Sequence, residues 1–248
     1  MTLPFGLSPE AAAFMAAVIF VAAFVRGYSG FGYPVLVIAA GALVMNPLVL
    51  LPVALIGDLL LCIQHWRAAR PHVHWPTVRR LVIGAAIGMV PALWALGRVD
   101  EQTARVVIGI AVMLAGLVML SGWTLPGRVG PSATLGMGIV SGLVSPAGVA
   151  GPPVVALAAA LGLAPLAFRA TLLGYFIALD IMTFGQFWLA GRVAWDVLWA
   201  ALLSAPLVVV GSWWGARGVH RANPLTFRRI TIGVMIAMAA LGLGRALL

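Results

Sequence analysis

Lysine is absent from the 248 residues, acidic residues number six, cysteine occurs once, and charged residues make up only 8% of the chain. About a quarter of a soluble globular domain is charged, so that class is excluded. A single cysteine, Cys62, excludes an internal disulfide and a cysteine cluster; it reads as a small apolar residue within a helix. Neither a nucleotide-binding loop, an HExxH zinc motif nor a nucleophile elbow in its proper setting occurs, which argues against ATP-driven transport by this chain alone and against an enzyme. No cofactor is expected.

What is present is apolar: 63% hydrophobic residues and a mean hydropathy of +1.10 place the chain in a bilayer. So few residues leave room for one membrane domain and short loops. Without a basic leader, and with Glu10 ahead of the first apolar run, the start is not expected to be a cleaved signal peptide. The net charge of +9 comes from arginines between apolar runs, which the positive-inside rule explains without a nucleic-acid partner.

The chain states one pattern twice, about 120 residues apart. Ser29-Gly30-Phe31-Gly32-Tyr33-Pro34-Val35 is answered by Ala147-Gly148-Val149-Ala150-Gly151-Pro152-Pro153. Further matches join Pro47-Leu48 to Pro165-Leu166, Trp75 to Trp195, and the run from Arg105 to Gly109 to that from Arg229 to Gly233. A duplicated membrane unit with a Gly/Pro-broken segment in each half is the signature of a secondary transporter whose site lies where the breaks meet.

The expected fold is an all-α integral membrane protein, an inverted repeat of two five-segment halves with about 8 to 10 membrane segments. Repeat 1 covers about 10–121, a linker 122–131, and repeat 2 about 132–248. The segments lie near 10–25, 33–45, 48–66, 78–97 and 104–121, then 132–145, 152–163, 166–190, 196–216 and 228–246. A span needs about 20 residues, so the first two segments of each half read as broken pairs, tilted or re-entrant. Arg67, Arg70, Arg79 and Arg80 crowd one loop, and Arg217, Arg221, Arg228 and Arg229 another. Both loops, 67–80 and 217–229, are expected in the cytoplasm. They occupy inequivalent places in the repeat, which requires the halves to be inverted and puts both termini outside.

Ionisable groups inside membrane segments are costly and tend to mark a substrate path. Arg26, at the predicted end of the first segment, reads either as an oxyanion ligand or as a snorkelling anchor. The first break supplies Gly30 and Gly32, the second Gly148 and Gly151. Each opens a half-helix whose free N–H groups suit an anion, although glycines also serve close helix packing, as at Gly84 and Gly88. Tyr28, Ser29, Ser145 and Thr171 offer hydroxyls near the breaks, or bond their own helices. Asp58 and Asp180 lie in the third segment of each half, one helical turn out of register, as proton-coupling candidates or as partners of an arginine such as Arg169. His65, His72 and His74 with Cys62 do not make a metal site: only Cys62 and His65 share a face, and arginines surround them. The expected partners are a small anion and lipid; a homo-oligomer stays open.

The duplicated unit, the Gly-rich break in each half, the turns Val44-Met45-Asn46-Pro47 and Leu163-Ala164-Pro165, and the Trp after each third helix together resemble the sulfite exporter TauE/SafE family. The resemblance covers almost the whole chain. Members carry a longer glycine run at each break, whereas Tyr33-Pro34 and Pro152-Pro153 interrupt it here. It implies a cytoplasmic-membrane permease for sulfite or a related sulfur-containing anion, commonly outward, against the alternatives of an anion channel or a membrane enzyme or assembly subunit.

Overall fold

The computed structural model describes residues 4–96, 98, 100–121, 129–218, 233, 236, 237 and 240, and all regular structure among them is helical. The first half holds α1 (Pro9–Ser29), α2 (Tyr33–Gly41), α3 (Pro47–Ala69), α4 (Trp75–Leu96) and α5 (Glu101–Ser121). The second holds α6 (Pro131–Val144), α7 (Gly151–Ala160), α8 (Pro165–Leu189) and α9 (Trp195–Gly218). These match nine of the expected segments. Most of the tenth, most of the linker, and Arg221, Arg228 and Arg229 lie outside the described residues.

Among the described residues, five helices, α1, α3, α4, α8 and α9, are long and apolar enough to cross a membrane. Their outward side chains are apolar as well: Val21, Ile63, Ile87, Trp94, Ile181 and Leu202 are all more than half exposed. That pattern suits a lipid solvent, and the protein is a multi-pass membrane protein.

One expectation is corrected. The first segment is not short, because α1 has 21 residues and passes through Arg26 to Ser29. Gly27 does not end the helix. It stays helical, and a Cβ there would strike the backbone carbonyl of Ser212 on α9. The stop is Gly30, in the left-handed region at φ 86°, whose N–H closes onto the Arg26 carbonyl. In the second half both opening helices are short, with 14 residues in α6 and 10 in α7.

The helix starts follow from local chemistry. Ser8 accepts from the Ala11 N–H at 3.2 Å ahead of Pro9, and Asn46 accepts from Leu48 at 2.9 Å ahead of Pro47. Each cap contributes about 1 kcal/mol. Asp100 caps α5 by accepting from the Thr103 amide and hydroxyl, and these bonds hold its carboxyl below the usual carboxylate range.

Two glycine-lined crossings organise the molecule. Cβ atoms at Gly211 and Gly215 of α9 would meet the carbonyls of Phe20 and Phe24 of α1. Likewise, Cβ atoms at Gly84 and Gly88 of α4 would meet the Leu135 and Ile139 carbonyls of α6, and those at Gly138 and Gly142 would meet the Leu81 and Ala85 carbonyls of α4. Hydrogen side chains let the backbones touch where lipid supplies no hydrophobic drive. Gly84 and Gly88 are packing glycines.

Helix directions follow from the residues that meet. α1 runs parallel to α9, with Phe5 donating to Asp196 at their shared start, and α4 runs parallel to α6. α3 is antiparallel to α8, because Asp58 faces Asp180 while the later Val73 packs on the earlier Gly174. Buried apolar residues form two main clusters. One joins α1, α2 and α3 with α9 and part of α5; the other joins α7 and α8 with α4, and takes in Cys62 of α3.

Candidate functional site

Where α3 crosses α8 the two clusters meet around charged groups. Arg26, Asp58 and Asp180 are only 4%, 2% and 3% exposed. The Arg26 guanidinium grips Asp58 with two donors, Nε to Oδ1 at 2.8 Å and Nη2 to Oδ2 at 3.2 Å, and Nη2 also reaches Cys62 Sγ at 3.1 Å. Asp58 and Cys62 stand one turn apart on α3, and with Asp180 their ligand atoms lie within 4.8 Å of one another. A cationic guanidinium fills the same space, so the trio does not suit a metal cation. Arg26, not Arg169, is the partner of Asp58.

Three polar atoms here are buried without a hydrogen-bond partner: Arg26 Nη1, Asp180 Oδ2 and Tyr33 Oη. Tyr33 opens α2 directly after the first break, and its hydroxyl lies against Gly57, next to Asp58, where a Cβ would not fit. An isolated charge or donor in an apolar interior is expensive. Leaving several together marks a place built for something other than stability.

The breaks adjoin this cluster. Gly32, at φ 99°, precedes α2, and neither α2 nor α7 has a side-chain cap on its first N–H groups. A Cβ at Gly148, at φ 74°, would run into Ile38 Cδ1 and stand 3.8 Å from the Pro34 carbonyl, so the two breaks are in contact. Phe176 links Arg26 to the second break: the guanidinium stacks 5.1 Å from its ring centroid, and a Cβ at Gly151 would lie 3.7 Å from its tip. Behind Gly151, Tyr175 donates to Ser141, which donates to the Ala150 carbonyl, both at 2.7 Å.

The hydroxyls named from the sequence are largely committed to backbone. Ser29 bonds the Val25 and Phe31 carbonyls, Ser145 donates to Gly142, and Thr171 accepts from the His74 amide at the α3–α4 turn. Tyr28 is buried, and its carbonyl accepts from Arg169 at 2.8 Å. Sequence reasoning passed over Tyr33, Phe176, the Cys62 contact and the Arg169 cap on α1. Cys62 carried a signal in its one-turn spacing from Asp58, and Arg169 in its charge within an apolar segment, where it was read as a possible partner of an acid. The two breaks also differ in cover: Ser29–Gly32 is partly exposed, while Ser145–Ala150 is buried.

The profile of the family described as sulfite exporter TauE/SafE matches residues 15–241. A Cupriavidus necator protein described as "Probable sulfite/organosulfonate exporter TauE" is 28% identical over 228 residues, covering 86% of each chain. No solved structure matches the chain.

Proposed function

Because the chain belongs to the sulfite exporter TauE/SafE family, we propose that it is a secondary transporter carrying sulfite or a related small sulfur-containing anion, organic or inorganic, out across the cytoplasmic membrane, coupled to protons. The observation that carries this reading is the buried Arg26 fork, held by Asp58 with one donor unpartnered and stacked on Phe176, whose ring adjoins the second break.

The architecture supports an inverted repeat. α1 matches α6, α3 matches α8 and α4 matches α9 in the duplication, and each pair runs in opposite directions. The first helix of each half also packs on the fourth of the other, α1 on α9 and α6 on α4. Two bodies of like composition then rock about the α3–α8 contact, as alternating access requires. Arg67, Arg70, Arg79, Arg80 and Arg217 fall at one end, which we take as cytoplasmic. The partly exposed first break supports a site open toward that end.

Chemically, Asp58 is a resident competitor for the guanidinium. An oxyanion needs the same fork, and displacing Asp58 leaves a bare carboxylate beside Asp180 in a dry crossing. A proton taken up by the pair removes that cost, so anion and proton move together. The empty carrier returns with Arg26 neutralised by Asp58. N–H groups at the starts of α2 and α7, near Gly30, Gly32, Gly148 and Gly151, complete the anion's shell.

Proteoliposomes holding the purified protein test this with radiolabelled sulfite and an imposed pH gradient. Accumulation that follows the gradient and vanishes in Arg26→Ala is expected. Dissipative flux alone indicates a channel, and absence of flux above empty vesicles for sulfite and sulfonates alike refutes the reading.

A further inference from the structure

Arg169 lies just over one turn into α8, at the end of the molecule that carries the arginine-rich turn, and is exposed. Its Nη2 donates to the Tyr28 carbonyl at 2.8 Å and the Gly27 carbonyl at 3.4 Å, the two residues that follow Arg26 on α1. Its Nε faces Gly30, where a Cβ would be 3.6 Å away. Among the described residues it meets no carboxylate, and the nearby Asp58 is taken by Arg26.

A capping role alone accounts for one of its donors. It does not account for a cation placed where another cation is already felt: Arg26 and Arg169 lie within electrostatic reach of each other, and His65 of α3 lies within reach of both. Like charges at this range repel, more strongly as water is excluded. Asp58 neutralises Arg26, whereas among the described residues no carboxylate meets Arg169, so the partly exposed break presents a positive charge without a paired carboxylate to the interior side.

We propose that Arg169 is the inner-mouth ligand of the transported anion, receiving the oxyanion beside Gly30 and passing it to Arg26 when Asp58 lets go. This rests on the transport reading above. It also narrows the substrate: one such charge suits a monoanion with several equivalent oxygens, such as hydrogensulfite or a sulfonate, over a dianion such as sulfate. The first break needs glycine at 30 because its backbone is left-handed, at φ 86°; a Cβ there would stand at ordinary contact distance from the guanidinium, 3.6 Å from Nε.

Arg169→Gln and Arg169→Lys in the full chain test the assignment, with sulfite transport in proteoliposomes and sulfite-induced thermal stabilisation in detergent as separate readouts. Glutamine can still donate to the Tyr28 carbonyl, so a purely capping role survives it. The expected result for Arg169→Gln is a KM for sulfite raised about tenfold at low salt with kcat within about twofold, and a proportional loss of sulfite-induced stabilisation. Added inert salt should shrink the difference from wild type, and Arg169→Lys should recover most of the affinity. A wild-type KM and thermal shift in Arg169→Gln, or a fall in kcat alone, overturns the assignment and leaves the transport reading intact. A wild-type protein that neither binds nor moves sulfite overturns both.

Discussion

Arg26 of α1 and Asp58 of α3 form a two-donor ion pair, with Nε to Oδ1 at 2.8 Å, at the point where the two apolar clusters of the molecule meet. Both side chains are almost wholly buried. Buried pairs contribute little net stability, yet removing one partner strands the other. Asp58→Leu alone should therefore destabilise the protein by about 3–5 kcal/mol, and Arg26→Met with Asp58→Leu should recover most of that loss. Thermal unfolding in detergent measures both. The double variant should fold and transport nothing, separating the structural role of the pair from its functional one.

Asp180 calls for a different outcome. Its Oδ2 has no partner, and its neighbour across the helix crossing is a second carboxylate, Asp58, to which it can bond only when one of the two carries a proton; an amide at 180 can donate in its place. Asp180→Asn keeps the shape and removes the charge. We expect a midpoint of unfolding no lower than wild type, sulfite flux down its own gradient, and no accumulation driven by an imposed pH gradient. Accumulation at the wild-type level would assign coupling to Asp58 alone.

Nine helices among the described residues were legible in the sequence to within a few residues, most of them because Pro stands at or beside their starts, as at Asn46-Pro47. The end of α1 was not. A glycine at 27 reads as a breaker, and only the α9 backbone packed against it shows why it stays helical. Arg26, Asp58 and Asp180 were each visible as costly charges in apolar runs. Which carboxylate met which arginine was hidden, since pairing depends on how helices from different parts of the chain cross. The Tyr33 hydroxyl and Phe176 gave no local signal, and Arg169 stood out only as a possible partner of an acid: what each meets depends on the other half of the molecule.

The glycines of α6 separate packing from mere permissiveness. Gly138 and Gly142 face the α4 backbone, whereas a Cβ at Gly136 would meet nothing within 4 Å. Gly142→Leu should lower the folded yield severely, because overpacking costs about 1–3 kcal/mol even where atoms can shift and here the obstacle is a carbonyl. Gly136→Ala should be neutral or stabilising by up to about 1 kcal/mol. Fluorescence-detected size-exclusion after graded heating distinguishes the two.

The break glycines can be told apart by what opposes a side chain. At Gly32 the φ of 99° is the obstacle, since no atom would lie within 4 Å of a Cβ. At Gly148 a φ of 74° is joined by a clash with Ile38 Cδ1. Left-handed backbone costs a non-glycine residue about 1–2 kcal/mol, and the clash adds to this at Gly148 alone. Gly148→Ala should therefore be the more damaging, and Ile38→Ala should rescue part of that extra loss while doing nothing for Gly32→Ala. If the uncapped N–H groups after each break bind the anion, the partly rescued Gly148→Ala, Ile38→Ala protein should fold yet show a raised KM for sulfite, because the first turn of α7 is displaced from its place against α2. A wild-type KM in that protein would confine the second break to a packing role and leave the anion to Arg26 and the first break.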